Sequence, residues 1–142
     1  MQIADRIKSD VATAMKAGER ERVGALRLVL SELQKAEKAG EGDELAVLRR
    51  ERKRRREAAE AYRQAGREDL AAGEDSEAQV IEQYLPAELS DAELDELVQR
   101  AVAETGASSP RDMGQVIKHV MAAAGGRADG RRVSTKAKEA LN

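Results

Sequence analysis

A chain of 142 residues suffices for one ordinary domain or two small ones, and 41% hydrophobic content excludes a wholly disordered protein. With no cysteine and a single histidine, a disulfide framework, a thiol nucleophile, a cysteine-ligated metal and a multi-histidine site are all excluded, so neither a metal nor another cofactor is expected. The net charge of −2 hides an uneven distribution: Lys and Arg against Asp and Glu number 16 and 12 over residues 1–66, 2 and 12 over 67–105, and 7 and 3 over 106–142.

With two tyrosines, no phenylalanine and no tryptophan, the core must come from Leu, Val, Ile, Met and Ala. That composition suits helix-on-helix packing, and the expected fold class is all-α: an N-terminal multi-helix bundle followed by a small three-helix C-terminal module. No apolar run approaches the ~20 residues needed to cross a bilayer, and Met1-Gln2-Ile3 leads straight into an amphipathic pattern. No membrane association is expected, and the expected compartment is the cytoplasm.

The first helix is predicted over residues 2–17, with Ile3, Ile7, Val11, Ala14 and Met15 on one stripe and Gly18 as its stop. In the second, over 19–39, Val23, Leu26, Leu30 and Leu33 form a seam, while Leu28 and Val29 widen the apolar surface to other sides. The loop Gly40-Glu41-Gly42-Asp43 is short enough to force an antiparallel return. The third helix, over 44–65, carries the run RRERKRRRE from Arg49 to Glu57. Its seam of Leu45, Leu48, Arg52, Arg55, Ala59 and Tyr62 is interrupted by two arginines, which must snorkel or pair with carboxylates such as Glu32 or Glu37. Arg49, Lys53 and Arg56 project together from an adjacent face with Arg54 further round, a patch that either attracts phosphates or is simply solvated.

Gly66 closes the third helix, and a fourth is predicted over 67–83 despite Gly73, with Val80, Ile81, Tyr84 and Leu85 as its apolar end. Pro86 marks the expected boundary between a domain of residues 1–85 and one of 86–142. A capping box from Ser90 to Glu93, stapled by Leu89 and Leu94, starts a helix over 91–104 that buries Leu94, Leu97, Val98, Ala101 and Val102. Ser109, Pro110 and Asp112 together fit the start of the next helix, whose oily face is Met113, Val116, Ile117, Val120 and Ala124. After Gly125-Gly126 and the turn at Ala128-Asp129-Gly130, a shorter last helix carries Val133, Ala137, Ala140 and Leu141.

No catalytic constellation emerges. His119 flanks the oily face of its helix opposite no second histidine, Ser108 and Ser109 belong to a cap, and no nucleophile elbow, Walker loop or dinucleotide fingerprint is present. The positive feature is cationic. Arg111, Gln115 and Lys118 lie opposite the apolar stripe, followed by Arg127, Arg131 and Arg132 in and after the turn and by Lys136 and Lys138 on the last helix. Such a surface suits contact with a phosphate backbone, without aromatic stacking because no aromatic ring follows Tyr84. An acidic middle that pairs with the basic flanks inside the fold, and a merely solvated basic surface, are the alternatives.

The pattern G-A-S-S-P-R-D-M-G-x-V-I-K from Gly106, followed by G-G-R-A-D-G-R-x-V from Gly125, resembles the YqeY-like family of small bacterial proteins. Arg55-Arg56-Glu57, the run YRQAGREDL from Tyr62 to Leu70, and Tyr84-Leu85-Pro86 resemble it too, so the likeness covers nearly the whole chain. A similar module forms the C-terminal tail of the B subunit of glutamine-dependent aminoacyl-tRNA amidotransferases, where it is associated with gripping the tRNA. The resemblance implies a tRNA-binding accessory protein, working with an amidotransferase or aminoacyl-tRNA synthetase complex. By kinship alone it implies carbon–nitrogen ligation with glutamine as amide donor. The parts that would perform that chemistry are not recognisable in 142 residues, so no catalytic residue carries over and the chain is not expected to be catalytic alone. A protein-interaction adaptor without an RNA ligand is the alternative reading.

Overall fold

A computed structural model describes residues 2–142. Among them the secondary structure is entirely helical: α1 (Gln2–Lys16), α2 (Arg20–Lys38), α3 (Glu44–Gln64), α4 (Glu68–Glu82), α5 (Asp91–Thr105), α6 (Met113–Ala124) and α7 (Gly130–Leu141), with a 3-10 turn at Pro110–Asp112. The chain divides into two compact units, one ending at Leu85 and the other running from Pro86 to Asn142.

In the first unit, α1 to α4 close around Ile7, Leu26, Leu33, Val47, Leu48, Ile81 and Tyr84. Glycines in the left-handed region end three of these helices or their turns: Gly18, Gly40 and Gly66 have φ of 73°, 85° and 75°, a conformation that costs other residues dearly. The start of α1 is held from a distance. The Glu44 carboxylate, on the first turn of α3, accepts the amide N–H groups of Ile3 and Ala4 at 3.1 and 2.9 Å, satisfying donors that no helical carbonyl reaches. Two apolar residues expected inside are outside: Met15, in the last turn of α1, is 56% exposed, and Leu28 on α2 is 47% exposed because the helices packed on α2 do not encircle it.

Over their distal halves α3 and α4 meet through small side chains, Ala59, Ala71 and Ala78, all buried and all outside the main apolar cluster. Carboxylates and guanidinium groups complete that contact. Arg55 Nη1 lies 3.4 Å from Glu74 and 3.0 Å from Glu77, Arg56 meets Glu82, and Arg63 meets both Glu68 at 3.1 Å and Asp75. The partners expected for Arg55 on α2, Glu32 or Glu37, are therefore replaced by carboxylates of α4, the helix that α3 packs against along its length. Glu51 is buried and paired with Arg54 at 3.0 Å, and Arg52 is buried as well.

The second unit is a three-helix module around Leu94, Val98, Ala101, Val116, Val120, Val133, Ala137 and Leu141. The Ser90–Glu93 capping box forms with both reciprocal bonds at 3.1 Å, and those bonds hold the Glu93 carboxyl below its ordinary range. The Ser109-Pro110-Asp112 signal leads into the 3-10 turn, and α6 follows it. There the Asp112 carboxylate accepts the N–H groups of Ser108 at 2.9 Å and Ser109 at 3.3 Å. α7 is capped by Asp129, which accepts the Arg132 N–H at 2.8 Å. It equals α6 in length at 12 residues, and Ala140 is exposed instead of packed.

Candidate nucleic-acid interface

Residues 106–142 carry seven cations, which divide into two groups; an eighth cation of the second unit, Arg100 on α5, is exposed as well. Arg127, Arg132 and Lys136 are engaged within the unit. Arg127 Nε donates to the Ala87 carbonyl at 2.8 Å, while the Arg127 carbonyl accepts the Leu89 N–H at 2.8 Å. Arg132 Nη2 donates to the Leu89 carbonyl at 2.9 Å and to Asp91 at 3.1 Å. Lys136 lies 3.1 Å from Asp95, which raises its pKa above the ordinary lysine value. These side chains fasten residues 87–91 to the turn before α7 and to α7 itself. Sequence reasoning placed them on the binding surface and missed their partners. The signal was present as two matched rows, Asp91 and Asp95 on one helix and Arg132 and Lys136 on another, each with four-residue spacing.

Arg111, Lys118, Arg131 and Lys138 form the other group. All four are exposed, and among the described residues none has an ion pair or side-chain hydrogen bond. Arg111 lies in the 3-10 turn that leads into α6 and Lys118 on α6 itself, while Arg131 and Lys138 stand seven residues apart on α7 and share a helix face with roughly 10 Å of axis between them. Four exposed cations of this kind suit a polyanion's backbone: they attract charge without fixing base identity.

The other basic patch, on α3, is largely spent. Arg54 pairs with Glu51 and Arg56 with Glu82, and Arg49 is engaged too. The ammonium of Lys53 is exposed with no partner among the described residues. The dense positive charge in the sequence is thus met partly by carboxylates of α4, at Arg55 and Arg56, and partly by Glu41 and Glu51, at Arg50 and Arg54.

His119 Nε2 lies 2.6 Å from the Glu104 carboxylate, with both side chains well exposed. The depression beside it is shallow and lined by Thr105, Gln115, Lys118, His119 and Ala122. The Thr105 hydroxyl already donates to the Ala101 carbonyl at 2.7 Å, so no nucleophile faces the imidazole. Among the described residues no group of three or more metal-ligating side chains converges, and no helix is long and apolar enough to cross a membrane.

Fold and surface together define a small, two-unit, all-helical protein in which many charges pair internally and many exposed cations stand without an ion pair among the described residues. The sequence profile of the family described as Yqey-like protein matches residues 4–141, and the chain belongs to that family. A relative from Schizosaccharomyces pombe, described as an uncharacterized protein, is 34% identical over 85 residues, which are 56% of this chain and 69% of the relative.

Proposed function

We propose that the chain is a tRNA-binding accessory protein that holds folded RNA by its phosphate backbone, through Arg111 in the turn before α6, Lys118 on α6, and Arg131 and Lys138 on α7. The observation that carries this reading is that these four cations stay exposed without an ion pair among the described residues, whereas Arg127, Arg132 and Lys136 beside them are engaged by carboxylates and carbonyls of the same unit. The kinship suggested by the sequence, with the tRNA-gripping tail of an amidotransferase subunit, supplies the RNA class. Any carbon–nitrogen ligation with glutamine as amide donor belongs to a partner, an amidotransferase or aminoacyl-tRNA synthetase complex. The one histidine–carboxylate pair stands on an open surface without a nucleophile beside it.

The test is a gel-shift series at low salt with tRNA. Replacing these four exposed cations by alanine is expected to weaken the shift strongly, whereas Lys136→Ala, which removes an internally paired charge, leaves most of it. Equal binding by the four-site variant and the unaltered chain overturns the assignment. A protein partner that survives nuclease treatment, with no RNA bound, would make the chain an adaptor instead.

A further inference from the structure

The outward face of α2 carries a feature that density of charge along the sequence conceals. Arg20, Arg27, Lys35 and Lys38 are all exposed, and at 3.6 residues per turn they fall within about 80° of arc, spread over roughly 27 Å of helix. Between them lie Gly24, Ser31 and Gln34, likewise exposed. The acidic residues of the helix, Glu21, Glu32 and Glu37, fall outside that arc. Among the described residues none of the four cations has an ion pair; Arg27 alone makes a side-chain contact, with the Met15 sulfur at 3.5 Å.

Two observations argue against a purely structural origin. Gly24 sits inside a helix, where glycine is less favourable than almost any other residue. Nothing lies within 4 Å of the position that a Cβ would occupy there, so no packing within the chain calls for the missing side chain. Arg20 stands in the first turn of α2, the end at which the helix dipole disfavours a cation. Both cost the helix something and yield nothing inside the unit.

We infer that this face of α2 is a second contact for the phosphate backbone of RNA, in which Gly24 and Ser31 let the strand approach while Arg20, Arg27, Lys35 and Lys38 neutralise phosphates on either side. This rests on the RNA-binding reading above and extends it to the first unit. A lipid surface fits less well. A membrane-lying helix offers an apolar face to the bilayer, whereas the apolar face of α2, with Val23, Leu26, Val29 and Leu33, is buried in the core.

The experiment measures tRNA affinity across a salt series for the full chain and three variants. One carries Arg20→Gln, Arg27→Gln, Lys35→Gln and Lys38→Gln; one carries alanine at the four cations of α6 and α7; the third is Gly24→Gln. Losing four phosphate contacts at ~0.7 to 0.9 each should flatten the slope of log affinity against log salt by about 3 for the α2 variant. Gly24→Gln should raise the thermal midpoint, because the helix gains a better helix former, and still weaken tRNA binding several-fold. An unchanged slope in the α2 variant, alongside a flattened one in the α6–α7 variant, overturns this inference and leaves the RNA reading standing. Unchanged or tighter binding by Gly24→Gln overturns the close approach. No tRNA binding by the unaltered chain sinks both readings. Capture by phosphatidylserine vesicles through the α2 cations, without tRNA binding, assigns the face to a membrane surface and overturns the inference.

Discussion

Tyr84, just past the end of α4, ties that end of the helix to α1. It is only 5% exposed, its hydroxyl donates to the Asp10 carboxylate on α1, and the Arg6 guanidinium lies over its ring at 5.2 Å from the centroid. Burial first, and the Asp10 bond second, push the phenol from 10.0 up to about 12. The folded form therefore holds the proton more tightly than the unfolded chain does. Its stabilising effect is complete below pH ~10, declines as the unfolded tyrosine ionises, and is exhausted above about 12. Tyr84→Phe should cost about 1 to 2 kcal/mol at pH 7 through the lost bond to a charged acceptor. It should also remove up to roughly 2 to 3 kcal/mol of the alkaline decline, at ~1.4 kcal/mol for each pH unit. Urea midpoints of both proteins from pH 8 to 12 check this: parallel curves would show that Tyr84 is not the titrating group.

Elements were read with uneven success, and the reasons are physical. Helix positions follow from apolar spacing and glycine stops, which depend on near neighbours in the chain, so α1 to α5 lie within a residue of their expectations, while a 3-10 turn at Pro110–Asp112 delays the start of α6 to Met113. Charge pairing depends on which helices become neighbours. Arg55 finds Glu74 and Glu77 on α4 instead of a carboxylate on α2, and Glu44 reaches back some forty residues to cap α1. Arg127 and Arg132 looked like surface cations because the carbonyls of Ala87 and Leu89 that engage them carry no sequence signature. The α2 face escaped notice for the opposite reason: its cations are sparse along the chain and converge only when the helix is wound. The cap at α1 gives a prediction at this scale. A carboxylate at a helix N-terminus accepts exposed amides and complements the helix dipole. Glu44→Ala should lower stability by about 1 to 2 kcal/mol, with fraying of α1 visible as faster amide exchange at Ile3 and Ala4. Glu44→Gln, which keeps an acceptor but loses the charge, should lie between the two. A Glu44→Ala protein with unaltered midpoint and exchange would show that the cap contributes nothing.

At the scale of the whole molecule, the two apolar cores share no residue, and the ion pairs of His119, Arg127, Arg132 and Lys136 close inside the second unit. A fragment of residues 86–142 should therefore fold by itself, although a domain of ~60 residues is marginal in stability. Where the fragment begins matters more than its small size suggests. Residues 86–89 have no regular structure, yet Leu89 is 6% exposed, its N–H and carbonyl bind Arg127 and Arg132, and Ala87 binds Arg127 as well. Removing these four residues leaves α5 and its Ser90 cap in place but opens the core beside Leu94 and strips both arginines of their backbone acceptors. Burial of one leucine alone is worth roughly 1.5 to 3 kcal/mol. The fragment 90–142 should thus be less stable than 86–142 by at least about 2 kcal/mol, a large share of what so small a domain has. Thermal melts of the two fragments followed by circular dichroism decide the matter. Equal midpoints would mean that Arg127 and Arg132 do not hold the leading segment and are available to bind other partners. A longer fragment that melts without cooperativity would mean that the second unit depends on residues before Pro86.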